Sequence, residues 1–427
     1  MPDAICIFED DQCENLLPLT FFRPAYDLRC GILTLREKVL RAYPGSSQVL
    51  HCRPYLGDLV REQNPGTSVN VVPGGRSLFV NGRLIAGRAL AKRIPIKGND
   101  VVFLAGESVV AARVSGDRLA ALKQALESGP LTRDHFASLP HEAVDERLIR
   151  YPWDLVAANG AEIVSDFAIL AGRKSRIRGK VYPGSSLVSK KDIFVGAGAK
   201  IKPGVVLDAE NGPIWIGTNT MIFPHAMIEG PAFVGEGSAI KAGAKIYENT
   251  SIGEVCKVGG EVEESIIHAY SNKQHDGFLG HSYLAMWVNL GADTNNSDLK
   301  NNYGNVKVVI NGAPVDSGSM FVGLTMGDHS KSGINTMFNT GTVVGVSSNV
   351  FGADFPPKSI PSFCWGGAKS LAVYDLEKAI EVARRVMARR KRTLSENESA
   401  VFRSIFERTR GEREKAGAKT GVLHMGD

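Results

Sequence analysis

The feature that most constrains the fold of this chain is an aliphatic residue that recurs at every sixth position in its middle. The positions are Val195, Ile201, Leu207 and, after one longer step, Ile216, Ile222, Ile228, Val234, Ile240, Ile246, Ile252 and Val258. A period of six fits neither an α-helix nor a simple amphipathic strand. It predicts a triangular solenoid, in which each six-residue piece forms a short strand and a corner.

Glycine is frequent in the same region, as at Gly198, Gly204, Gly237 and Gly243. Glycine allows tight corners, because a positive φ angle costs little without a Cβ atom. One coil cannot bury its own interior, so the stacking of aliphatic residues between coils would supply the core. The sequence therefore predicts a β-helix built from hexapeptide repeats.

The six-residue period is interrupted over residues 259–321, which are rich in histidine, asparagine, aspartate and lysine. It returns at Val322, Asp328, Ile334, Thr340 and Val346. A tolerated insertion would explain the interruption, but loops on a regular scaffold often carry binding or catalytic residues. We therefore expect a functional loop in this segment.

The flanking segments have other patterns. Residues 1–155 alternate short apolar runs such as AICIF with segments of helical spacing such as LTLREKVLRAY, which predicts an α/β domain. We expect the β-helix to occupy residues 156–368 and C-terminal helices and a tail to occupy residues 369–427. The basic residues 389–392 are expected to be the solvated end of an amphipathic helix, favoured by the helix dipole.

Composition and charge limit the class of protein. The net charge of +5 suits anionic small molecules and is too small and scattered to indicate nucleic-acid binding. The six cysteines form no CxxC pair, which argues against a disulfide framework or a zinc site. No apolar run is long enough to cross a membrane, and the first residues lack a leader pattern. We expect a cytoplasmic protein with no membrane or nucleic-acid partner.

Acyl transfer to an amine needs a general base that titrates near neutral pH, and histidine suits this role. The best candidate is His281, within the segment GFLGHSYLAMWVNLGADTNNSDLKNNYG. The neighbouring side chains that could hydrogen-bond sugar hydroxyls and phosphate are Tyr283, Asn289, Asn302 and Tyr303. His329 is the second choice, and His225 is more simply a corner residue, since an isolated histidine is usually structural.

A basic segment follows the first predicted strand and contains Arg23, Arg29, Arg36 and Lys38. Cations at this point of an α/β domain could neutralise a nucleoside triphosphate, with arginine giving bidentate phosphate contacts. For Arg36 and Lys38, the solvated face of a helix is an equal alternative. The carboxylates that could hold Mg²⁺ include Asp10, Asp11 and Asp154. The sequence does not select among them.

Four segments together resemble one known family. They are PLTFFRPAYDLRCGILTLREK at residues 18–38, SLFVNGRLI at 77–85, YPWDL at 151–155 and GHSYLAMWVNLGADTNNSDLKNNYG at 280–304. The family is a sugar nucleotidyltransferase family, an alternative form of the bifunctional N-acetylglucosamine-1-phosphate uridyltransferase/glucosamine-1-phosphate acetyltransferase. The resemblance covers nearly the whole chain. It implies a nucleotidyltransferase-like α/β domain joined to a left-handed parallel β-helix.

The resemblance also implies roles for residues and partners. In the bifunctional enzymes the β-helix forms trimers, and acetyl-CoA lies along the coils between subunits. By this match the chain would form a homotrimer and use a nucleoside triphosphate, a sugar 1-phosphate, acetyl-CoA and Mg²⁺. His281 would be the general base, and Tyr283, Asn289 and Asn302 would position the sugar phosphate. Lys38 would replace the catalytic lysine that follows strand one.

The chain departs from those enzymes at several points. One residue fewer separates His281 from Tyr283, and Asp293 stands in place of a glycine. The sequence RPAYDLRCG replaces the glycine-rich phosphate loop. The leading hypothesis is a sugar-1-phosphate nucleotidyltransferase with a linked acetyltransferase. The alternatives are an acyltransferase with a degenerate nucleotide-binding domain and a non-catalytic trimeric sensor of sugar nucleotides.

Overall fold

A seven-stranded sheet organises the N-terminal part of the computed structural model, which describes residues 4–172 and 176–420. Its strands are β1 (Ala4–Phe8), β2 (Ser47–Leu50), β3 (Ser68–Val69), β4 (Arg76–Asn81), β5 (Val101–Ala105), β6 (Ser108–Ser115) and β7 (His141–Ala143). Their order is β3-β2-β1-β4-β6-β5-β7. Strand β1 is parallel to β2 and β4, whereas β6 is antiparallel to β4 and β5. Every residue of β1 is buried, as expected for a central strand covered on both faces.

Helices cover this sheet and confirm the predicted α/β class. They are α1 (Leu35–Ala42), α2 (Gly57–Gln63), α3 (Leu90–Arg93), α4 (Gly116–Ala125) and α5 (Pro152–Leu170). Short 3₁₀ helices lie at Asp11–Leu16, Ala25–Asp27, Pro54–Leu56 and Arg133–Phe136. Helix α1 begins where it does because of a capping box: Thr34 accepts from the Glu37 amide, and Glu37 accepts from the Thr34 amide.

The middle of the chain forms a left-handed parallel β-helix with three faces. Face 1 contains Ile193–Val195, Ile214–Ile216, Ala232–Val234, Thr250–Ile252, Ile266–Ala269, Tyr283–Met286, Thr325–Met326, Val343–Val344 and Ser359–Ile360. Face 2 contains Lys180–Val181, Lys200–Ile201, Met221–Ile222, Ala239–Ile240, Lys257–Val258 and Asn272–Lys273, and continues through Asn289 to Lys331–Ser332, Asn349–Val350, Cys364–Gly366 and Leu371–Val373. Face 3 contains Ser186–Val188, Val206–Asp208, Met227–Glu229, Lys245–Ile246, Glu261–Glu263 and Phe278–Gly280, followed by Asn295–Asn296 and Met337–Phe338. A short 3₁₀ helix at Lys190–Asp192 precedes the first strand of face 1.

The first series of aliphatic residues points into the β-helix, as predicted. Each one, from Val195 to Val258, is completely buried in one continuous core. Left-handed corners separate the strands, and Gly198 and Gly204 have φ angles of +74° and +76°. His225 also lies at a corner, with φ of +62°.

The predicted interruption is shorter than expected. Buried inward positions continue through Val262, Ile267, Lys273, Leu279, Leu284, Leu290 and Asn296. The periodicity was hidden because some steps are five residues long and because Lys273 and Asn296 are polar. Only residues 297–321 leave the coil. This segment, called the insertion below, contains an antiparallel hairpin of Lys307–Ile310 and Ala313–Asp316.

The predicted register of the later coils is wrong. Ile334 was expected to point inward but is 71% exposed. The buried core residues of these coils are instead Met326, Phe338, Val344 and Val350. The inward residues Asn296 and Met326 are 30 residues apart, so the insertion keeps the six-residue phase. Val322 is four residues before Met326 and out of phase with it, so a register counted from Val322 places the wrong residues inside.

The three parts of the chain pack against one another. Helix α5 lies along face 1, where the Asn159 side-chain amide donates to the Asn249 carbonyl at 2.7 Å. The predicted C-terminal helices are present as α6 (Leu376–Ala388), α7 (Glu396–Arg408) and α8 (Arg410–Lys415). Ile380 of α6 and Phe402 of α7 share a core with Phe22 of the N-terminal part and Trp287 of the β-helix. Among the helices of the described ranges, none has the length and apolar character needed to cross a membrane.

Candidate functional sites

A polar cavity of about 390 Å³ opens at the carboxyl ends of β1 and β4. This edge of a parallel α/β sheet is where such folds usually bind ligands. The charged and polar residues that line the cavity are Asp10, Asp11, Gln12, Arg83, Glu107, Ser108, Thr132, Arg133, Arg150 and Tyr151. They come from the segments after β1, β4, β5 and α4 and from the residues before α5.

Asp10 is held in place at the base of this cavity. The Arg83 Nε atom donates to Asp10 Oδ1 at 2.8 Å, and the Asn81 side-chain amide donates to Oδ2 at 2.8 Å. Asp10 and Arg83 are buried, so removing either would leave an unpaired buried charge. The pair therefore shapes the cavity floor and leaves little free charge there.

The free charges of the cavity lie nearer its mouth. Arg133 pairs with Glu107 in an exposed ion pair. Among the described residues, the Arg150 guanidinium and the Asp11 carboxylate have no ion-pair partner within 4 Å. The cavity thus presents one unpaired cation and one unpaired carboxylate beside the strand ends.

The structure places Arg23 and Arg29 between the N-terminal part and the β-helix. The Arg23 guanidinium forms an ion pair with Asp328, with one contact at 3.0 Å, and also donates to the Leu19 carbonyl at 2.8 Å. The Arg29 guanidinium donates to both oxygens of Glu254 at 2.8 Å. Neither arginine lines the cavity. Their predicted role in nucleotide binding stays a prediction, and their contacts here join the two parts of the chain.

Lys38 and Arg36 are also paired with carboxylates. The Lys38 ammonium contacts Asp166 at 2.6 Å and Glu162 at 2.8 Å, both on α5. The Arg36 guanidinium contacts Asp27 at 2.8 Å. Lys38 lines a different cavity, of about 370 Å³, between α1 and α5. The four predicted cations are therefore not brought together around one ligand site.

His281 lies at a corner between face 3 and face 1, with φ of +45°. Its Nδ1 atom is 2.8 Å from Asp298 Oδ2, and its Nε2 atom is 3.4 Å from Glu264 Oε2. Its ring stacks on Phe321, with ring centres 4.9 Å apart. Asp298 and Phe321 belong to the two ends of the insertion, so the insertion builds most of the surroundings of His281.

The two carboxylates control the charge of this histidine. Burial lowers the pKa of His281, but hydrogen bonds to Asp298 and Glu264 outweigh it and raise the pKa to about 9. The imidazole is therefore mostly protonated at neutral pH. To act as a general base it must first lose this proton.

The four predicted sugar-phosphate ligands do not lie at one place. Tyr283 is buried beneath the N-terminal part, where its hydroxyl accepts from the Arg29 amide at 3.0 Å and lies 2.9 Å from His268 Nδ1. Asn289 lies on face 2, beside Asn272.

Asn302 and Tyr303 lie in the insertion, shortly after the Asp298 that contacts His281. Tyr303 is 68% exposed, and Asn302 accepts from the Gly304 amide at 3.1 Å. Asn302 and Tyr303 therefore lie on the part of the insertion that leads away from the His281 corner toward solvent. Their role in binding sugar phosphate stays a prediction.

The remaining sequence candidates have structural contacts. Asp154 caps α5 by accepting from the Arg150 and Tyr151 amides at 2.8 and 3.1 Å. His329 is enclosed by aromatic rings that include Phe402, and burial lowers its pKa well below the ordinary value. Within the described ranges, no three His, Cys, Asp or Glu side chains are grouped to hold a metal ion by themselves.

Sequence reasoning missed several residues that build the two sites. Arg83 lies within the segment SLFVNGRLI and Arg150 directly precedes YPWDL, but only the folded sheet brings them beside Asp11. Glu264 flanks His281 from the preceding coil and Asp298 flanks it from the start of the insertion, and each is 17 residues from His281 in sequence. A ladder of polar corner residues one coil apart was the signal that could have revealed them.

Comparisons with known proteins agree with the N-terminal architecture. A family model described as sugar nucleotidyl transferase matches residues 5–175. A bifunctional sugar-1-phosphate nucleotidylyltransferase/acetyltransferase of Sulfurisphaera tokodaii is 33% identical over 104 residues, which are 24% of this chain and 26% of that protein. The bifunctional protein GlmU of Methanococcus aeolicus is 29% identical over 227 residues, which are 53% and 44% of the two chains.

The matched regions span less than half the length of these two curated relatives. Among solved structures, a UDP-N-acetylglucosamine acyltransferase of Francisella novicida is 11% identical, with a TM-score of 0.31 over 57% of this chain and 94% of that chain. Residues 5–175 of this chain are therefore similar to the sugar nucleotidyl transferase family.

Proposed function

We propose that the protein is a sugar-1-phosphate nucleotidyltransferase with a linked acetyl-CoA-dependent amino-sugar-phosphate acetyltransferase. The observation that carries this proposal is the joining of a sugar nucleotidyl transferase family domain to a β-helix that holds a histidine between two carboxylates. The relatives with bifunctional names support the same pairing of activities. The proposal does not specify the nucleotide base or the sugar.

We place nucleotidyl transfer in the cavity at the carboxyl ends of β1 and β4. A sugar 1-phosphate oxygen would attack the α-phosphorus of a nucleoside triphosphate, and pyrophosphate would leave. Arg150 is suited to bind a phosphate group, because its guanidinium has no carboxylate partner among the described residues. Reactions of this kind depend mainly on positioning and on neutralising charge, which a preformed cavity supplies.

Mg²⁺ fits this cavity only as an ion shared with substrate phosphates. Asp10 already accepts from Arg83 and Asn81, so Asp11 is the carboxylate free to hold the ion. Mg²⁺ is commonly held by one or two carboxylates together with phosphates. When bound, it would neutralise phosphate charge.

We place acetyl transfer at the His281 corner. The amine of an amino sugar phosphate would attack the thioester carbonyl of acetyl-CoA, and coenzyme A would leave as the thiol. Neutral His281 would accept the proton of the attacking amine. Asp298 would orient the imidazole through Nδ1, which is the usual arrangement for a histidine base.

A second candidate is an acetyltransferase whose N-terminal domain binds a sugar nucleotide without turnover. The ion pairs that engage Arg23, Arg29 and Lys38 favour this candidate, because those cations are held away from the cavity. It differs from the main proposal in one measurable product, pyrophosphate.

A panel of triphosphates and sugar 1-phosphates is the test of the main proposal. We expect one pair to give pyrophosphate and a nucleoside-diphosphate sugar, identified by mass. Arg150→Gln should lower this rate about tenfold or more, because it removes a charged phosphate contact. The matched control is Arg118→Gln, an exposed arginine outside the cavity. If no pair releases pyrophosphate, the second candidate replaces the first.

The pH dependence of acetyl transfer tests the role of His281. With a pKa of about 9, roughly one imidazole in a hundred is neutral at pH 7, so the rate should rise about tenfold per pH unit toward pH 9. Asp298→Asn removes a contact that raises this pKa and should move the profile to lower pH. The titration of the substrate amine is the same for the wild type and for Asp298→Asn, so the difference between their pH profiles reports on His281. Identical profiles would remove His281 from the reaction.

We also retain the homotrimer and the cytoplasmic location as proposals. Lys200 and Lys202 on face 2 lie in the same coil as Asp208 on face 3. In a trimer whose axis is parallel to the β-helix, equivalent coils of the subunits lie at the same height. The lysines on face 2 of one copy could therefore meet the aspartate on face 3 of the next copy. The six cysteines are buried and unpaired, which is consistent with a reducing environment.

A further inference from the structure

A cluster of cations lies where the end of α6 meets face 2 of the β-helix. We call it the basic seam and define it by Lys257, Lys331 and Arg390 with the amides Asn272 and Asn289. The Arg390 guanidinium donates to Asn272 Oδ1 at 2.7 Å, and the Asn272 amide lies 3.4 Å from Asn289 Oδ1. Lys257, Asn272, Asn289 and Lys331 occupy equivalent positions on successive strands. The arrangement joins two distant parts of the sequence.

The charges of the basic seam are not neutralised within the described chain. None of its three cations lies within 4 Å of a carboxylate in residues 4–172 and 176–420. Within the described ranges, the Lys331 ammonium donates to the His329 carbonyl at 2.8 Å and to no other group. Arg390, Lys241 and Arg389 all lower the pKa of Lys257, which shows that they add to the positive field. By contrast, Lys245 on face 3 pairs with Glu261 at 3.2 Å.

The end of a helix explains only part of this cluster. A basic residue near a helix C-terminus is favoured by the dipole, and residues 389–392 were expected to be solvated for that reason. Arg390 is instead partly buried against face 2. Lys257 and Lys331 belong to the β-helix, so the dipole of α6 does not explain their positions. Lys257 and Arg390 repel each other, and burial alone lowers the pKa of Lys331 to about 8. Both effects cost energy that a bound anion would offset.

We propose that the basic seam binds the phosphate group of a small ligand. Guanidinium, ammonium and amide N–H groups are together the donors that recognise phosphate. The seam lies on face 2, whereas His281 lies at the corner between faces 3 and 1, so it is a separate subsite. Two sources share this chemistry: a free or sugar-linked phosphate, and the phosphates of coenzyme A. The inference does not depend on either proposed transfer reaction.

The test is calorimetric binding to the full chain without turnover. The probes are inorganic phosphate, glucosamine 6-phosphate, coenzyme A and dephospho-coenzyme A. We expect at least one probe to bind, and Arg390→Gln and Lys331→Gln each to weaken it about tenfold or more. Arg384→Gln is the matched control, because Arg384 lies on α6, the helix that ends just before Arg390, but pairs with Glu381. It should leave binding unchanged.

The probes separate the two sources. Tighter binding of coenzyme A than of dephospho-coenzyme A, lost in Arg390→Gln, assigns the seam to the 3′-phosphate. Similar weakening of inorganic phosphate and sugar phosphate assigns it to a free or sugar-linked phosphate. Lys257→Gln, at a more exposed position, serves if Lys331→Gln does not fold. Wild-type affinity in all three seam variants, or binding of none of the probes, would overturn the inference, whatever the transferase assays show.

Discussion

Replacing Arg23 by alanine is expected to lower the free energy of unfolding by about 3–5 kcal/mol, because it leaves a buried carboxylate without its partner. The Asp328 side chain is only 2% exposed, and Arg23 is its ion-pair partner from the N-terminal part. Asp328 would keep a single hydrogen bond, from the Met286 amide at 3.2 Å. The measurement is the urea midpoint of unfolding, followed by tryptophan fluorescence.

Two comparisons make this result specific. Arg61→Ala breaks an exposed pair with Asp58 and should cost less than about 1 kcal/mol. Combining Arg23→Met with Asp328→Leu removes both charges and should be less destabilising than Arg23→Ala alone. Equal midpoints for Arg23→Ala and Arg61→Ala would show that the buried pair does not hold the N-terminal part to the β-helix.

The same variant bears on the predicted role of Arg23 in nucleotide binding. Assayed at a temperature where it remains folded, Arg23→Ala should still release pyrophosphate if the cavity beside β1 and β4 is the nucleotide site. Loss of pyrophosphate release in the folded variant would instead support Arg23 as a nucleotide ligand, freed from Asp328 when substrate binds.

Replacing His281 by alanine is expected to slow acetyl transfer by about 10²–10⁴-fold, the usual contribution of a general base. No other histidine lies between two carboxylates among the described residues. The measurement is the release of coenzyme A thiol from acetyl-CoA with an amino sugar phosphate. His225→Ala is the matched control, because His225 also occupies a left-handed corner but contacts no carboxylate in the part of the chain that the structure describes.

The alanine variant should keep the fold of the β-helix. The His281 side chain is partly exposed and lies outside the inward stack of apolar residues. A thermal midpoint close to that of the wild type would therefore accompany the loss of rate. An unchanged rate in a folded His281→Ala protein would assign the proton transfer to another group.

The β-helix could be recognised from sequence where its period is regular. From Val195 to Val258, each coil repeats the same inward position, so the local pattern is enough. After residue 296 the sequence pattern is ambiguous, because a register counted from Val322, four residues before the inward Met326, places Ile334 inside. The coils between are hidden in the sequence because Lys273 fills an inward position by donating to the carbonyls of Gly259 and His275.

The candidate sites also combine features that are local in the sequence with features that depend on the fold. His281 could be proposed from the sequence because its chemical type and polar surroundings are local properties. Its charge state could not, because Glu264 from the preceding coil and Asp298 from the insertion approach it only in the folded chain. The cluster of cations after β1 is likewise visible in the sequence. Whether each cation is free or paired with a carboxylate depends on the fold.

By itself, the sequence determined the coil period, the classes of its flanking segments and the histidine most suited to be a base, since each rests on neighbours along the chain. Only the tertiary structure decided that Arg23 and Arg29 join the N-terminal part to the β-helix, while Arg150 faces the cavity. The physical reason is that the role of a charged side chain depends on the residue with which it pairs in the folded chain. The partners of Arg23 and Arg29 are 305 and 225 residues away.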